Sequence, residues 1–345
     1  MLIFLIFLVS AIGFCGFFLK WSFRDDASQF GFVAMMENSA KRPFIHRQLL
    51  PVIVKKTVEI LPPDVKEKLS KNLIEKKHIE KRFAKSEIPD KYVLEYYLMF
   101  ALCFICFAAA IWILRGLLSE ILQDEIAGTV GAMLFAILFP FFESLGGYYY
   151  DILEFLFMFL AVRFVLHGNF IALFILVPIA EWNKESFLFF LATLYPLIRQ
   201  HADLKKSAII TLGAMFSAGL AYLYVRQMFL NNPGDMADWR VPDHLKSVFE
   251  IKSYFHTDSI YGIPFGSRIF LPHVIFVIWI IKNSWCKLSE CWKSHAKFAL
   301  VINGALYFLF VVPGELRDLS MLYMTFALLT AYYLRDIFKN HYQKT

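Results

Sequence analysis

At 345 residues, 58% hydrophobic and only 19% charged, this chain departs from soluble domains, which run at about 45–50% apolar and about 25% charged. Its apolar runs reach roughly the 20 residues that cross a bilayer core as helix. They are too long and continuous for barrel strands, which alternate over about 10 residues. The net charge of +6 sits in the connecting segments and requires no nucleic-acid partner, because cytoplasmic loops of membrane proteins are enriched in Lys and Arg.

The expected fold class is therefore all-α: a polytopic integral membrane protein of eight to ten transmembrane helices, with residues 1–345 forming a single transmembrane domain. The first run, Met1 to Leu19, lacks a basic n-region and a small-residue cleavage site, and reads as a retained span. Residues 21–94 form a first long outer loop. It opens on Arg24-Asp25-Asp26 and continues through Arg42-Pro43-Phe44-Ile45-His46-Arg47. Two adjacent carboxylates at a membrane boundary suit a general base or a metal ligand, or are ordinary interfacial charges. The arginines suit bidentate phosphate binding or anchoring to anionic lipid. Leu49, Leu50, Ile53, Val54, Val58 and Leu61 recur at helical spacing, which predicts an amphipathic surface helix over 45–61. Pro62-Pro63 ends it, and a strongly basic stretch from Lys66 to Lys91 follows.

Nine further spans are expected at 95–118, 128–143, 151–167, 169–181, 186–199, 207–226, 268–282, 298–313 and 320–335. Cys103-x-x-Cys106 lies mid-span without a further Cys or His and reads as apolar filler. The turn from Glu143 to Asp151 carries Gly146-Gly147 and Tyr148 to Tyr150, the tyrosines being either an interfacial belt or a sugar-stacking platform. Glu154 lies on the same helical face as Asp151, and an intramembrane carboxylate is a functional candidate by default. Glu181-Trp182-Asn183-Lys184-Glu185 separates two apolar runs, with Lys184 as a phosphate ligand positioned by Glu181 and Glu185, or as self-neutralising turn charge. A second long outer loop, 227–267, carries Trp239, Tyr254, His256, Tyr261 and Gly262 and reads as irregular and ligand-contacting. Glu315-Leu316-Arg317-Asp318 precedes the last span.

Orientation follows from alternate segments. One side carries Arg115, Arg163, Arg199, Lys205, Lys206, Lys282, Lys287, Lys293, Lys297, Arg335, Lys339 and Lys344; the short loops opposite carry Lys184 and Arg317 alone. This places both termini in the cytoplasm and the polar clusters on the outer face.

The acidic pair, the Arg42-Pro-Phe-Ile-His-Arg47-Gln-Leu-Leu-Pro51 run, Tyr150-Asp151, Asn183-Lys184-Glu185-Ser186 and Glu315-Leu-Arg317 together resemble the GT-C superfamily of polytopic membrane glycosyltransferases, in particular its bacterial polyprenyl-phosphate-sugar-dependent members. The resemblance spans residues 21–320. Lys184 stands where an arginine is usual and Phe30 where a tyrosine is usual. It implies transfer of a sugar from a polyprenyl-phosphate donor to a glycan, lipid or protein acceptor at the outer face of a bacterial inner membrane, in cell-envelope assembly. Asp25 or Asp26 would be the catalytic base. Arg42, His46, Arg47, Asp151, Asn183, Lys184, Glu185, Glu315 and Arg317 would bind substrate and its phosphate. No cofactor is required; a divalent metal, with Asp25, Asp26, Glu143 or Asp151 as candidate ligands, is an option. The competing readings are a transporter or flippase for an anionic or lipid-linked solute, and a polysaccharide polymerase.

Overall fold

A computed structural model of the chain describes residues 2–235, 238–260, 263–266 and 269–342. Tyr261 and Gly262 of the second loop, Arg268 at the edge of an expected span and Lys344 of the basic C-terminal segment lie outside the described residues. The order is α1 (Leu2–Trp21), α2 (Phe32–Met36), α3 (Leu49–Ile60), α4 (Pro63–Lys76), α5 (His78–Phe83), α6 (Val93–Leu122), α7 (Glu125–Phe142), α8 (Tyr149–Leu166), α9 (Phe170–Asn183), α10 (Ser186–Thr193), α11 (Tyr195–Ile198), α12 (Leu204–Met228), α13 (Val241–Phe249), β1 (Thr257–Ile260), β2 (Ile263–Gly266), α14 (Leu271–Ser284), α15 (Glu290–Phe310) and α16 (Tyr323–Tyr342). The one departure from an all-α chain among the described residues is the antiparallel pair β1–β2, with Thr257 opposite Gly266.

Every expected span falls on helix, but they are not equivalent. Among the described residues, four helices are long and apolar enough to cross a membrane: α1, the helix ending at Leu122, α7 and α12. The expected span at 186–199 is two short helices that meet at Leu194, where Pro196 takes the first turn of the second. Proline has no N–H to donate and its ring crowds the preceding turn, and the break in this apolar run falls beside it. The second long loop is not irregular either, since α13 and the hairpin occupy much of it.

The core is built from aromatic rings, as 38 phenylalanines demand. Phe14, Phe17 and Phe18 of α1 meet Phe100 and Phe107 of α6 and Phe139 of α7, with ring centroids 4.7–6.2 Å apart. Gly13 lets α1 and α7 approach closely, because a Cβ there would sit 2.1 Å from the carbonyl oxygen of Ala136.

The predicted surface helix exists as α3, and its apolar stripe is turned onto the protein. Leu49, Leu50, Val54 and Val58 are buried, against α6 and α9. What α3 shows outward is Ile53 and Ile60 among Lys56 and Thr57. The segment 21–94 is thus a folded cap on the bundle. Its basic stretch is partly neutralised from within: Lys77 pairs with Asp90 at 3.2 Å and Lys91 with Glu37 at 2.9 Å. Lys85 Nζ donates to the Leu19 carbonyl oxygen at 2.6 Å, which covers the end of α1. The five cysteines are free thiols.

Candidate functional site

Four chain segments converge at one end of the bundle. The C-terminus of α1 is tied to the turn after α7 by Trp21 Nε1, which donates to the Glu143 carbonyl oxygen at 2.7 Å. Ser144 reaches the next segment, its hydroxyl donating to the Gly314 carbonyl oxygen at 2.5 Å and accepting from Leu316 N–H at 3.1 Å. Gly314 has φ +88°, a left-handed turn that glycine adopts without strain. The α9–α10 turn is pinned by Asn183 Nδ2, which donates to the Tyr150 carbonyl oxygen at 2.8 Å. Lys184 itself is extended, and this projects its side chain out of the helix. Asn303 of α15 holds the 3-10 segment Leu316–Leu322 from below, donating to Asp318 O at 2.6 Å and accepting from Met321 N–H at 3.1 Å.

These ties assemble one network of charge. Asp151 is its centre and has no accessible side-chain surface. It accepts from Tyr148 N–H at 3.0 Å, closing the first turn of α8, from Lys184 Nζ at 2.9 Å, and from Arg317 Nη1 at 3.2 and 3.3 Å. Lys184 Nζ also donates to Glu154 at 2.8 Å and Asp318 at 3.3 Å. Glu154 takes two hydroxyls as well, Ser186 at 2.5 Å and Ser320 at 3.0 Å. Arg317 grips Glu315 through Nε at 2.9 Å and Nη2 at 2.7 Å. Arg47 forms a two-pronged pair with Glu185 and donates to Tyr150 Oη at 2.6 Å.

The tyrosines are neither a lipid-facing belt nor a surface platform. All three are buried. Tyr148 and Tyr150 stack at 4.9 Å and 10°, with the Arg317 guanidinium 4.7 Å from the first ring and that of Arg47 4.5 Å from the second. Desolvated cations over π faces are held electrostatically at such distances.

The network has a sealed floor and an open rim. Lys184, Arg317 and Arg47 are 4–9% exposed, whereas Glu315, Asp318 and Glu185 are 15%, 20% and 31% exposed. Burial penalises every charge here, and for the rim carboxylates and the cations the pairings override it. Arg317 and Lys184 hold the Asp318 carboxyl below its ordinary range, and Arg47 does the same for Glu185. Asp151, Glu154 and Asp318 hold Lys184 protonated despite its burial.

Glu143, like Glu181, has no such pairing. It is fully buried and neither carboxylate oxygen has a hydrogen-bond partner. Burial, then the charge of Asp151, push its carboxyl well above the ordinary 4.5. A carboxylate left without donors in such a place takes a proton. Because the folded pKa is raised, the stability it permits is full below about pH 4.5 and is lost as pH rises toward the folded value. Glu143→Gln, a permanent mimic of the neutral acid, is therefore expected to unfold at the same or higher temperature at pH 7, with its advantage widening at alkaline pH. Thermal unfolding of the detergent-solubilised pair across pH 5–9 checks this; a variant that loses ground as pH rises contradicts it.

The site residues expected from the sequence divide sharply. Arg47, Asp151, Asn183, Lys184, Glu185, Glu315 and Arg317 are brought together. Asp25 and Asp26 make no hydrogen bond or ion pair with these residues, although Arg24, the partner of Asp26, donates to Tyr148 Oη at 3.3 Å at the cluster's edge. Asp25 is a structural clamp: one oxygen accepts from Ser22 Oγ at 2.5 Å and Phe23 N–H at 3.2 Å, the other from the backbone N–H groups of Lys85 and Ser86. Asp26 is half-exposed and pairs with Arg24 at 3.3 Å. Arg42 and His46 flank the cluster. Arg42 N–H donates to the Pro233 carbonyl oxygen at 2.8 Å, docking the segment that follows α12, and His46 is buried with Nε2 unpartnered. Glu181 does not position Lys184; Asp151, Glu154 and Asp318 do. No group of three His, Cys, Asp or Glu side chains among the described residues is arranged to hold a metal ion. Asp318 and Ser186 lie in the polar clusters read from the sequence without a role assigned there, and Ser320 lies outside them; nothing in the neighbours of Asp318 distinguishes it from a solvated charge.

No family model, curated protein or solved structure matches the chain.

Proposed function

We propose that the chain is a GT-C-like membrane glycosyltransferase that moves a sugar from a polyprenyl-phosphate donor to an acceptor hydroxyl at the outer face of a bacterial inner membrane. One observation supports this reading above the others. Three buried cations, Lys184, Arg317 and Arg47, are each engaged by a rim carboxylate that a phosphate can replace. Asp318 and Glu315 occupy positions from which phosphate oxygens would meet Lys184 and Arg317. A donor phosphate seated there would free Asp318 to turn to the acceptor.

The acceptor oxygen attacks the anomeric carbon as the carbon–oxygen bond to phosphate breaks. The hydroxyl proton passes to Asp318, and the charge that develops on the departing lipid phosphate is met by Lys184 and Arg317. Preorganised cations in a dry site need no reorganisation at the moment of bond breaking. The base role passes from Asp25 to Asp318 because the oxygens of Asp25 are engaged by four donors, three of them backbone amides. Floor contacts such as Asp151 and Glu154 set the direction of Lys184 and act through it.

The test is incubation of purified protein with a panel of polyprenyl-phosphate sugars and simple acceptors, with and without chelator. Transfer is expected, with Arg317→Ala lowering turnover by roughly 10²–10³-fold. Absence of donor binding and of turnover across the panel, with Arg317→Ala indistinguishable from wild type, overturns the reading. The transporter reading is favoured by Glu143, a buried neutral acid beside Asp151 that is suited to proton coupling. It predicts solute movement in vesicles without any glycosylated product.

A further inference from the structure

The helix α13 is polar on the inside and apolar on the outside. His244 is buried, with Nε2 2.8 Å from the Val311 carbonyl oxygen and 3.2 Å from that of Tyr307, while Asp243 and Ser247 are half-buried on the same side. Leu245, Val248 and Phe249 face outward at 51%, 46% and 82% exposure. Trp239, Ile251 and Phe255, on either side of the helix, are exposed as well. A helix bordered by water carries the opposite pattern, apolar toward the protein and polar outward. The medium around α13 is therefore apolar.

Its attachment indicates which medium that is. Arg240 N–H donates to the Leu309 carbonyl oxygen at 2.8 Å, and Trp239 meets Phe310 edge-on at 6.2 Å. The outer face of α15 exposes Leu300, Val301, Phe308 and Phe310, so the patch on α13 continues an apolar surface that runs along that helix. Lys246 is also exposed on α13, and Lys252 follows shortly after it. Long basic side chains with an apolar stem, and a tryptophan at the edge, are the residues that border hydrocarbon against phosphate headgroups.

We propose that α13 lies in the plane of the membrane, with Leu245, Val248 and Phe249 immersed among the acyl chains and Lys246 and Lys252 at the headgroups. Its partner is the lipid bilayer. The position bears on the site, because α13 packs on the end of α15, where Tyr307 Oη accepts from Gly314 N–H at 2.6 Å just before Glu315. An immersed α13 sets the depth of the rim at the level of a lipid phosphate. The placement does not depend on the transfer reading, since it concerns the bilayer and no donor.

The test uses the full chain in phosphatidylcholine nanodiscs, at one copy per disc, with the photoreactive benzoylphenylalanine placed at position 249 or, for comparison, 243. Irradiation is expected to give a phospholipid adduct by mass at 249 and little at 243. Brominated lipid is also expected to quench wild type more than Trp239→Phe. Position 249 is exposed, so probe placement leaves the packing intact, and an unchanged unfolding temperature verifies it. Absence of adduct at 249, or equal adducts at the two positions, overturns the proposal. So does a chain-to-chain product that rises with copies per disc, which assigns the patch to a second copy. Equal quenching of wild type and Trp239→Phe overturns the placement of Trp239.

Discussion

Asp151→Asn is expected to destabilise the protein by about 3–5 kcal/mol, the cost of removing one partner from a buried ionic network. Asp151 has no accessible side-chain surface and is shared by Lys184, Arg317 and the first turn of α8. Asparagine keeps the shape and one acceptor, but it removes the negative charge that both buried cations face. It also presents an N–H₂ group to donors that have nothing to give it. The loss extends beyond one contact because α8, the α9–α10 turn and the Leu316–Leu322 segment all meet at this side chain. Denaturant or thermal unfolding in detergent reads it. A loss under about 1 kcal/mol would mean that water reaches the floor of the cluster and shares its charge.

Asp318→Asn is expected to fold normally and to lower sugar transfer by about 10²–10⁴-fold, the usual contribution of a positioned base. Its carboxylate lies at the rim, its backbone carbonyl oxygen carries the Asn303 contact, and both survive the substitution. Donor binding should persist, since Lys184 and Arg317 lose a competitor for the phosphate. Asp25→Asn should behave in the opposite way. It should cost about 1–2 kcal/mol by weakening the clamp on Lys85 and Ser86, at roughly 1 kcal/mol per hydrogen bond. Turnover per folded molecule should hold. Initial rates and unfolding measured on the same preparations separate the two cases. A rate collapse in Asp25→Asn with Asp318→Asn active returns the base to the acidic pair.

The contrast between these two aspartates shows where sequence reasoning stopped. Both sit in short charged clusters at the end of an apolar run, and both adjoin an arginine. What separates them is which backbone amides and cations arrive from 60 to 134 residues away, and that is a property of packing. The same limit applies to α3. Its period of Leu49, Leu50, Val54 and Val58 predicted the helix but not whether lipid or protein would cover the stripe. Periodicity reports that one face is apolar and is silent on its neighbour. The tyrosines of 148–150 failed for this reason too, since a belt residue and a cation-bearing core ring have identical composition.

Composition and run length alone determined that the chain is helical and that its apolar helices suit a membrane, because hydrocarbon admits backbone only when its hydrogen bonds close within the segment. The order of the polar clusters also determined most of the cation floor: Arg47, Lys184 and Arg317 stand out because charged residues are scarce between such helices. The tertiary structure alone decided which carboxylate each cation holds, that Asp25 is a clamp, that Glu143 is left without a donor, and that α13 turns its apolar face outward. The physical reason is common to all four. A side chain's charge state and role follow from what desolvates it and what pairs with it, and both come from residues distant in the chain.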